Sequence, residues 1–366
     1  MNTPVITTGT DDFRTLRDQL WAAVSDRDEH LAAGVVFAAL DGGMDAETAL
    51  LDVIAPVQAK VGTEWAANRL TVAQEHAASA IAERVIAALA HHPSTRRDPG
   101  LGRITVACVD KEWHVLPARL LAEVLTLRGW RVDFLGAQVP TPHLIAHLHT
   151  SGAETVALSS SLPTRLPTAH AAITACQAVG VPVLVGGAAF GPDGRYARLL
   201  GANAWAPDAR TAVRQLADGI PAPDLAIGRT QVDDLPHLAD QEYTYVARSQ
   251  GLLVREVLTQ LEKRFPAMNA YTPQQREHTA EDIAHVVDHL AVGLYTDDDA
   301  LLPTFLDWTA GILTARDVPA VSLLPVLDVL AAELQDFPRS VRLLDHARLA
   351  LDATLASAGH TSGAPA

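Results

Sequence analysis

Residues 103–117 read RITVACVDKEWHVLP, and this stretch decides the fold. RITVACVD is short, apolar and β-branched, the pattern of a strand buried on both faces. The helical spacing of WHVLPARLLAEVLTLRG follows at once and ends at Gly129. The rhythm then repeats. Strands are predicted at WRVDFLGAQV (130–139), TVALSSS (155–161), VPVLVGG (181–187) and ANAWAPD (202–208). Helices are predicted between and after them at 141–152, 166–180, 195–202 and 209–219. Alternating strands and helices predict a doubly wound, mainly parallel sheet over 103–218, with its ligand at the carboxyl ends of the strands.

The flanks read differently. Residues 1–95 carry apolar positions at helical spacing, broken at Asp41-Gly42-Gly43 and marked by Pro56, and predict a small bundle. Thr71, with Gln74 three residues on, suits a helix start. HHPSTRRDPGLG (91–102) and 219–240 read as linkers by their Pro, Gly and charge content. Residues 241–358 are helical again, in segments near 241–265, 273–296, 298–316, 319–336 and 338–358, and GHTSGAPA reads as a disordered tail. The expected class is α/β plus all-α, with a Rossmann-like sheet between two helical domains.

The 366 residues carry a formal charge of −15, a poor match for nucleic-acid phosphates. The closest approach to a basic patch is Arg96-Arg97, in an expected linker. Neither a signal peptide nor an apolar run long enough to span a membrane is evident, so a cytoplasmic protein is expected. The 2 cysteines, Cys108 and Cys176, lack CxxC spacing, which argues against disulfide staples and a thiolate zinc site.

The loop after the first strand has no glycine before Gly129, so it is neither a dinucleotide-binding nor a Walker A loop. It offers Glu112-x-His114 instead. A carboxylate two residues before an imidazole can hold one ring nitrogen and leave the other for a ligand or metal. The third strand ends Ser159-Ser160-Ser161-Leu162 and the fourth Gly186-Gly187. Small residues there leave a slot suited to a planar heterocycle.

E-x-H-x-x-P at 112–117, S-x-L at 160–162 and the pair at 186–187 together resemble the D-x-H-x-x-G…S-x-L…GG signature of cobalamin-binding domains. The resemblance implies His114 as the lower axial ligand of cobalt, with Glu112 and Trp113 beside it. It implies that Ser160, Leu162, Gly186 and Gly187 line the slot for the displaced dimethylbenzimidazole tail. Glu112 for Asp and Pro117 for Gly depart from the pattern. EWAANRLTVAQEH (64–76) further resembles the cap of CarH-type cobalamin photoreceptors. That implies Trp65 over the adenosyl group of adenosylcobalamin, with Glu75 and His76 beside it. Ala66 stands where those photoreceptors place a second histidine, and their DNA-binding module is not expected here. The competing expectation is a corrinoid protein of a methyltransferase system.

The last domain resembles, by length and layout, the globin-like bilin-binding domain of photocobilins. Biliverdin is then implied, held non-covalently, because no cysteine lies in 177–366. The stretch REHTAEDIAHVVDHLAVGLY (276–295) supplies candidate contacts in His278, Asp282, His285 and His289 on one helix face, with Asp288 beside them. Arg276, Arg342 and Arg248 are candidates for the propionates. Haem, or a metal held by His285 and His289, is the alternative ligand. Expected partners are the chromophores, a downstream signalling protein and further copies of the chain; DNA and membrane are not expected.

Overall fold

A computed structural model describes residues 10–95, 97–223, 235–264, 268 and 270–361. The chain divides into two compact units, Met1–Ser161 with Ala171–Gly228, and Leu162–His170 with Arg229–Ala366. Parts of the 219–240 linker, Arg96 and the end of the expected tail lie outside the described residues.

The first unit opens with α1 (Thr10–Ser25) and α2 (Glu29–Asp41). Sequence periodicity runs through both without a break. The chain turns at Arg27, whose φ is 61°, and Asp28 caps α2 by accepting from Leu31 N at 2.8 Å. Next come α3 (Ala46–Thr48), a π-helical stretch (Ala49–Ile54) and α4 (Ala55–Ala66), one continuous rod in three segments and two hydrogen-bonding patterns. Pro56 explains the change, because it has no N–H to give to the Asp52 carbonyl. Arg17 Nε donates to that carbonyl instead, at 2.6 Å. Helix α5 (Val72–Leu89) starts with the expected capping box between Thr71 and Gln74.

The sheet has β1 (Arg103–Cys108), β2 (Arg131–Gly136), β3 (Thr155–Ser159), β4 (Val183–Gly186) and β5 (Ala204–Ala206). All pairings are parallel, in the order β2-β1-β3-β4-β5. The chain leaves β1 for β2 on one side and returns to β3 on the other, so the switch point lies between β1 and β3. The connecting helices are α6 (Leu116–Leu127), α7 (Thr141–Ser151), α8 (Leu166–Ala178) and the short α9 (Arg195–Leu199), and α10 (Ala209–Asp218) closes the unit. Ile104, Val106, Ala157 and Leu184 pack under α6 and α10, and the alternate residues Ala107, Val156, Leu158 and Val185 are buried on the opposite face. Burial on both faces is why these strands read as unbroken apolar runs.

Bundle and sheet share a core, with Leu120 and Val124 of α6 inside the bundle cluster. The buried Glu47 receives Arg128 at 2.7 Å and Arg210 at 3.3 Å, and Arg210 also reaches Asp52 at 2.6 Å. Apolar contact and these ion pairs therefore hold the bundle to α6 and α10.

The second unit contains α11 (Glu242–Arg264), α12 (Pro273–Thr296), α13 (Leu301–Ala315), α14 (Leu324–Glu333) and α15 (Pro338–Thr361). The helix boundaries fall close to those read from the sequence, though α15 runs three residues into the stretch expected to be tail. The core of this unit is aliphatic, built on Val257, Val287, Leu290, Leu302, Leu330 and Leu343. Glu242 is buried at its start and accepts from Arg339 N, Ser340 N and Ser340 Oγ at 2.7–3.0 Å, capping α15. Among the described residues no helix is long and apolar enough to cross a membrane.

Candidate functional site

The loop between β1 and α6 crosses the switch point. Lys111 takes a φ of 63° there, which turns the chain sharply and directs Glu112 inward. Glu112 is 0% exposed. Its Oε1 accepts from His114 N at 2.9 Å and lies 2.6 Å from His114 Nδ1. Its Oε2 accepts from Ser160 Oγ at 3.2 Å and Ser161 N at 2.7 Å. One carboxylate thus fastens the β1 loop to the end of β3. It also sets the imidazole: Nδ1–H donates to Oε1, and the lone pair for a ligand sits on Nε2. The His114 side chain is 55% exposed, so it stands at the surface of the sheet edge. Trp113 beside it is 68% exposed.

Cys108 is buried beneath the same loop. Burial, with the nearby Glu112 charge, pushes its thiol up to about 12, so it is inert packing rather than a ligand.

The glycine pair is needed for backbone approach. Ser160 N donates to Gly186 O at 3.1 Å, and Ala189 N donates to Ser160 O at 3.1 Å. Gly187 has φ +100°, and a Cβ there would collide with the Ser160 carbonyl. Beside this crossing lies a cavity of about 130 Å³, lined among others by Pro117, Leu121, Leu158, Gly186, Gly187 and Ala206. Pro117, the departure from glycine, sits in the first turn of α6 and forms part of that wall. Leu162 follows in extended backbone, ahead of the 3-10 turn Pro163–Arg165. It falls in the second unit, as does His170, whose Nδ1 lies 2.8 Å from Tyr295 Oη.

Trp65 is half-buried at the end of α4. At the start of α5, Glu75 Oε2 holds His76 Nδ1 at 2.7 Å, and its Oε1 accepts from Ser79, which Gln58 of α4 reaches at 2.6 Å. The His76 side chain is 74% exposed. Glu64 pairs with Arg69 across the α4–α5 turn, and that hydrogen bond lowers the Glu64 carboxyl.

In the second unit the four α12 residues do not form one uniform face. His278, Asp282 and His285 are exposed, whereas His289 is half-buried. The His289 ring stacks on Phe305 at 3.6 Å, and its Nδ1 donates to the His285 carbonyl at 2.8 Å. Burial lowers it to about 4. The helical spacing was right, but packing against α13 draws one member inward. Burial raises Asp288, to which Gln250 donates at 2.6 Å. Arg276 pairs with Glu262, and Arg342 with Asp297 and Asp299, so these two guanidinium groups are engaged within the protein. The expected alternative of a metal held by His285 and His289 is not met. Among the described residues no three His, Cys, Asp or Glu side chains come together to hold a metal ion.

A switch-point imidazole backed by a buried acid, beside a glycine-walled slot, suits a single axial bond to a large cofactor. Residues 102–217 match a family model described as a B12 binding domain, and residues 16–90 match a second model of the same description. The chain therefore carries a cobalamin-binding region with its helical companion.

Within that class it is similar to the HTH-type transcriptional repressor CarH of Myxococcus xanthus. The two are 31% identical over 181 residues, covering 48% of this chain and 58% of the relative. The chain thus spans less than two thirds of that relative's length. Among solved structures, the monomethylamine corrinoid protein of Methanosarcina barkeri is 17% identical, with a TM-score of 0.47 over 55% of this chain and 96% of that one. A cobalamin-binding protein from Desulfitobacterium hafniense DCB-2 is 22% identical, with a TM-score of 0.31 over 56% of this chain and 98% of that one.

Proposed function

We propose that the chain is a cytoplasmic light sensor that takes adenosylcobalamin, with His114 as the lower axial ligand. The observation that carries this reading is the fully buried Glu112, which holds His114 Nδ1 at 2.6 Å and leaves Nε2 to coordinate. The slot walled by Gly186 and Gly187 takes the displaced tail, and Ser160 and Leu162 are the further residues assigned to it by the resemblance. Trp65 would cover the upper ligand, Glu75 and His76 could hydrogen-bond its sugar, and Trp113 is a further cofactor contact beside His114. When bound, adenosylcobalamin supplies a cobalt–carbon bond that visible light breaks. The residues of the chain orient it, exclude water from it and limit where a released group can go. The similarity to CarH over 181 residues supports the sensor over a methyl carrier.

The C-terminal helices, in this reading globin-like, hold biliverdin without a covalent bond. With no cysteine in 177–366 such a bilin is non-covalent, and the support for it is Asp288, a carboxyl raised by burial on α12, with Asp282 on the same helix. His278, His285 and His289 lie along the same helix. The output passes to a signalling protein through a change in the oligomer.

The test is the absorption spectrum of full-length protein loaded with adenosylcobalamin, before and after green light. The reading expects the adenosyl spectrum to be lost on illumination and retained in the dark. A spectrum unchanged by light refutes it, and methyl transfer in the dark from a methylcobalamin-loaded form to a thiol establishes the carrier instead. Co-expression with haem oxygenase is expected to add a far-red band, and its absence removes the bilin.

A further inference from the structure

The sequence offers no basic patch, yet folding builds one. On the bundle, a cleft of about 430 Å³ is lined by Arg14, Arg17, Asp18, Pro56, Val57 and Lys60. The volume falls within the ordinary range of small-molecule sites. Arg14 and Arg17 are three residues apart on α1 and share a face, and Lys60 comes from α4, so no local run of sequence signals the cluster.

Two of the three cations are held in place. Arg17 is anchored by its Nε to the Asp52 carbonyl at 2.6 Å, the acceptor left over by Pro56, and its two Nη groups remain for another acceptor. The Lys60 ammonium sits over the Trp21 ring, 4.2 Å from the centroid, which fixes its position without neutralising it. Arg14 is exposed on the rim, and among the described residues neither it nor Lys60 forms a salt bridge. The lining thus holds three cations and one carboxylate, Asp18, with Glu64 one turn along α4 from Lys60 outside the lining but within its electrostatic reach.

We propose that this cleft is a second ligand site, distinct from the switch-point loop, and that it binds a small organic phosphate. The cationic excess of the lining suits the charge of a phosphate monoester, close to −2 at neutral pH. A fork-shaped guanidinium suits phosphate oxygens, and the anchored Arg17 loses little entropy on binding. Pro56 and the buried Val57 give an apolar floor, which has a use only if the ligand carries an organic body beyond its phosphate.

The experiment is calorimetric titration of the full chain without cobalamin, using AMP, glucose 6-phosphate, inorganic phosphate and succinate. One equivalent of an organic phosphate is expected to bind, more tightly than inorganic phosphate and at least tenfold more tightly than succinate. The affinity falls as salt is raised. The double variant Arg14→Gln/Lys60→Gln, both exposed positions, is expected to fold as the parent by circular dichroism and to bind at least tenfold more weakly. Arg255→Gln, an exposed arginine on α11, leaves binding unchanged. No heat from any of the three phosphates overturns the proposal. So does succinate binding as tightly as AMP, or a double variant that binds like the parent. Because cobalamin is left out, none of these results bears on the light-sensor reading.

Discussion

Glu112→Gln is the sharpest probe of the switch-point loop. The substitution keeps the shape of a side chain that is 0% exposed and turns one of its two acceptor oxygens into a donor. If the amide oxygen faces His114, the amide nitrogen faces Ser161 N, a backbone donor 2.7 Å from the original oxygen. If it faces Ser161, the nitrogen confronts His114 N, and Nδ1 can satisfy it only by giving up its proton. Either orientation leaves one part-buried backbone N–H without its acceptor, which costs about 1–3 kcal/mol. With an m-value of about 2 kcal/mol/M, the midpoint of urea unfolding falls by about 1 M. The second orientation also moves the ring proton to Nε2 and blocks coordination. Loss of such a supporting partner weakens metal affinity by about 10–100-fold. Urea unfolding followed by sheet-unit fluorescence reads the first effect, and titration of the apoprotein with cobalamin, followed by absorption, reads the second. A variant with the parental midpoint and the parental cobalamin affinity refutes the assignment of Glu112 as the group that sets the loop and the imidazole.

Three further outcomes follow from the same structure. His114→Ala is expected to lose the histidine-ligated cobalamin spectrum and to cost about 1–3 kcal/mol, because it removes a hydrogen-bond partner of the fully buried Glu112 carboxylate, as checked by absorption and thermal melting. Gly187→Ala is expected to cost about 3 kcal/mol or more, because strain at φ +100° adds to collision with the Ser160 carbonyl; Gly43→Ala, with φ +95° and nothing near, bears the strain alone and costs less. The His289 pKa, about 4 in the fold against an ordinary 6.5, makes the unfolded chain the better proton binder. Its contribution is intact above pH 6.5 and is lost as pH falls toward 4, by up to about 1.4 kcal/mol per unit. His289→Phe, which keeps the stack on Phe305, is expected to flatten that slope in urea unfolding measured between pH 7 and 4.

Strands β1 to β5 were legible because burial on both faces forces short β-branched runs bounded by turn residues, and the C-terminal helices because prolines mark their ends. Glu112 and His114 stood out as a pair for the same local reason, being two residues apart. What stayed hidden depends on distance in sequence. Nothing near Glu112 shows that its second oxygen belongs to Ser160 and Ser161, or that the Asp52 carbonyl released by Pro56 is taken up by Arg17. The break at Arg27 was readable in retrospect from Asp28 with Leu31 three residues on, a cap masked by continuous apolar spacing. The inward turn of His289 required knowing that Phe305 lies opposite it. The cationic cleft required knowing that α1 and α4 are neighbours.

The three buried glutamates separate construction from function. Glu47 is held by two guanidinium groups, and Glu242 by the first N–H groups of a helix. Both arrangements supply the positive charge or dipole that a buried carboxylate requires, and both bind one element to another. Glu112 also joins two elements, the loops leaving β1 and β3, but it is held by a hydroxyl, backbone N–H groups and an imidazole. An imidazole is a weak source of positive charge while neutral and a strong one when its far nitrogen binds a cation. Stability alone would have been served by an arginine in that place. A histidine instead, on the exposed rim of the sheet at the one point where the topology opens a crevice, makes the buried charge most favourable when a metal is bound. That coupling is the physical ground on which the proposed function gives this glutamate a part in ligand binding and leaves the other two to the fold.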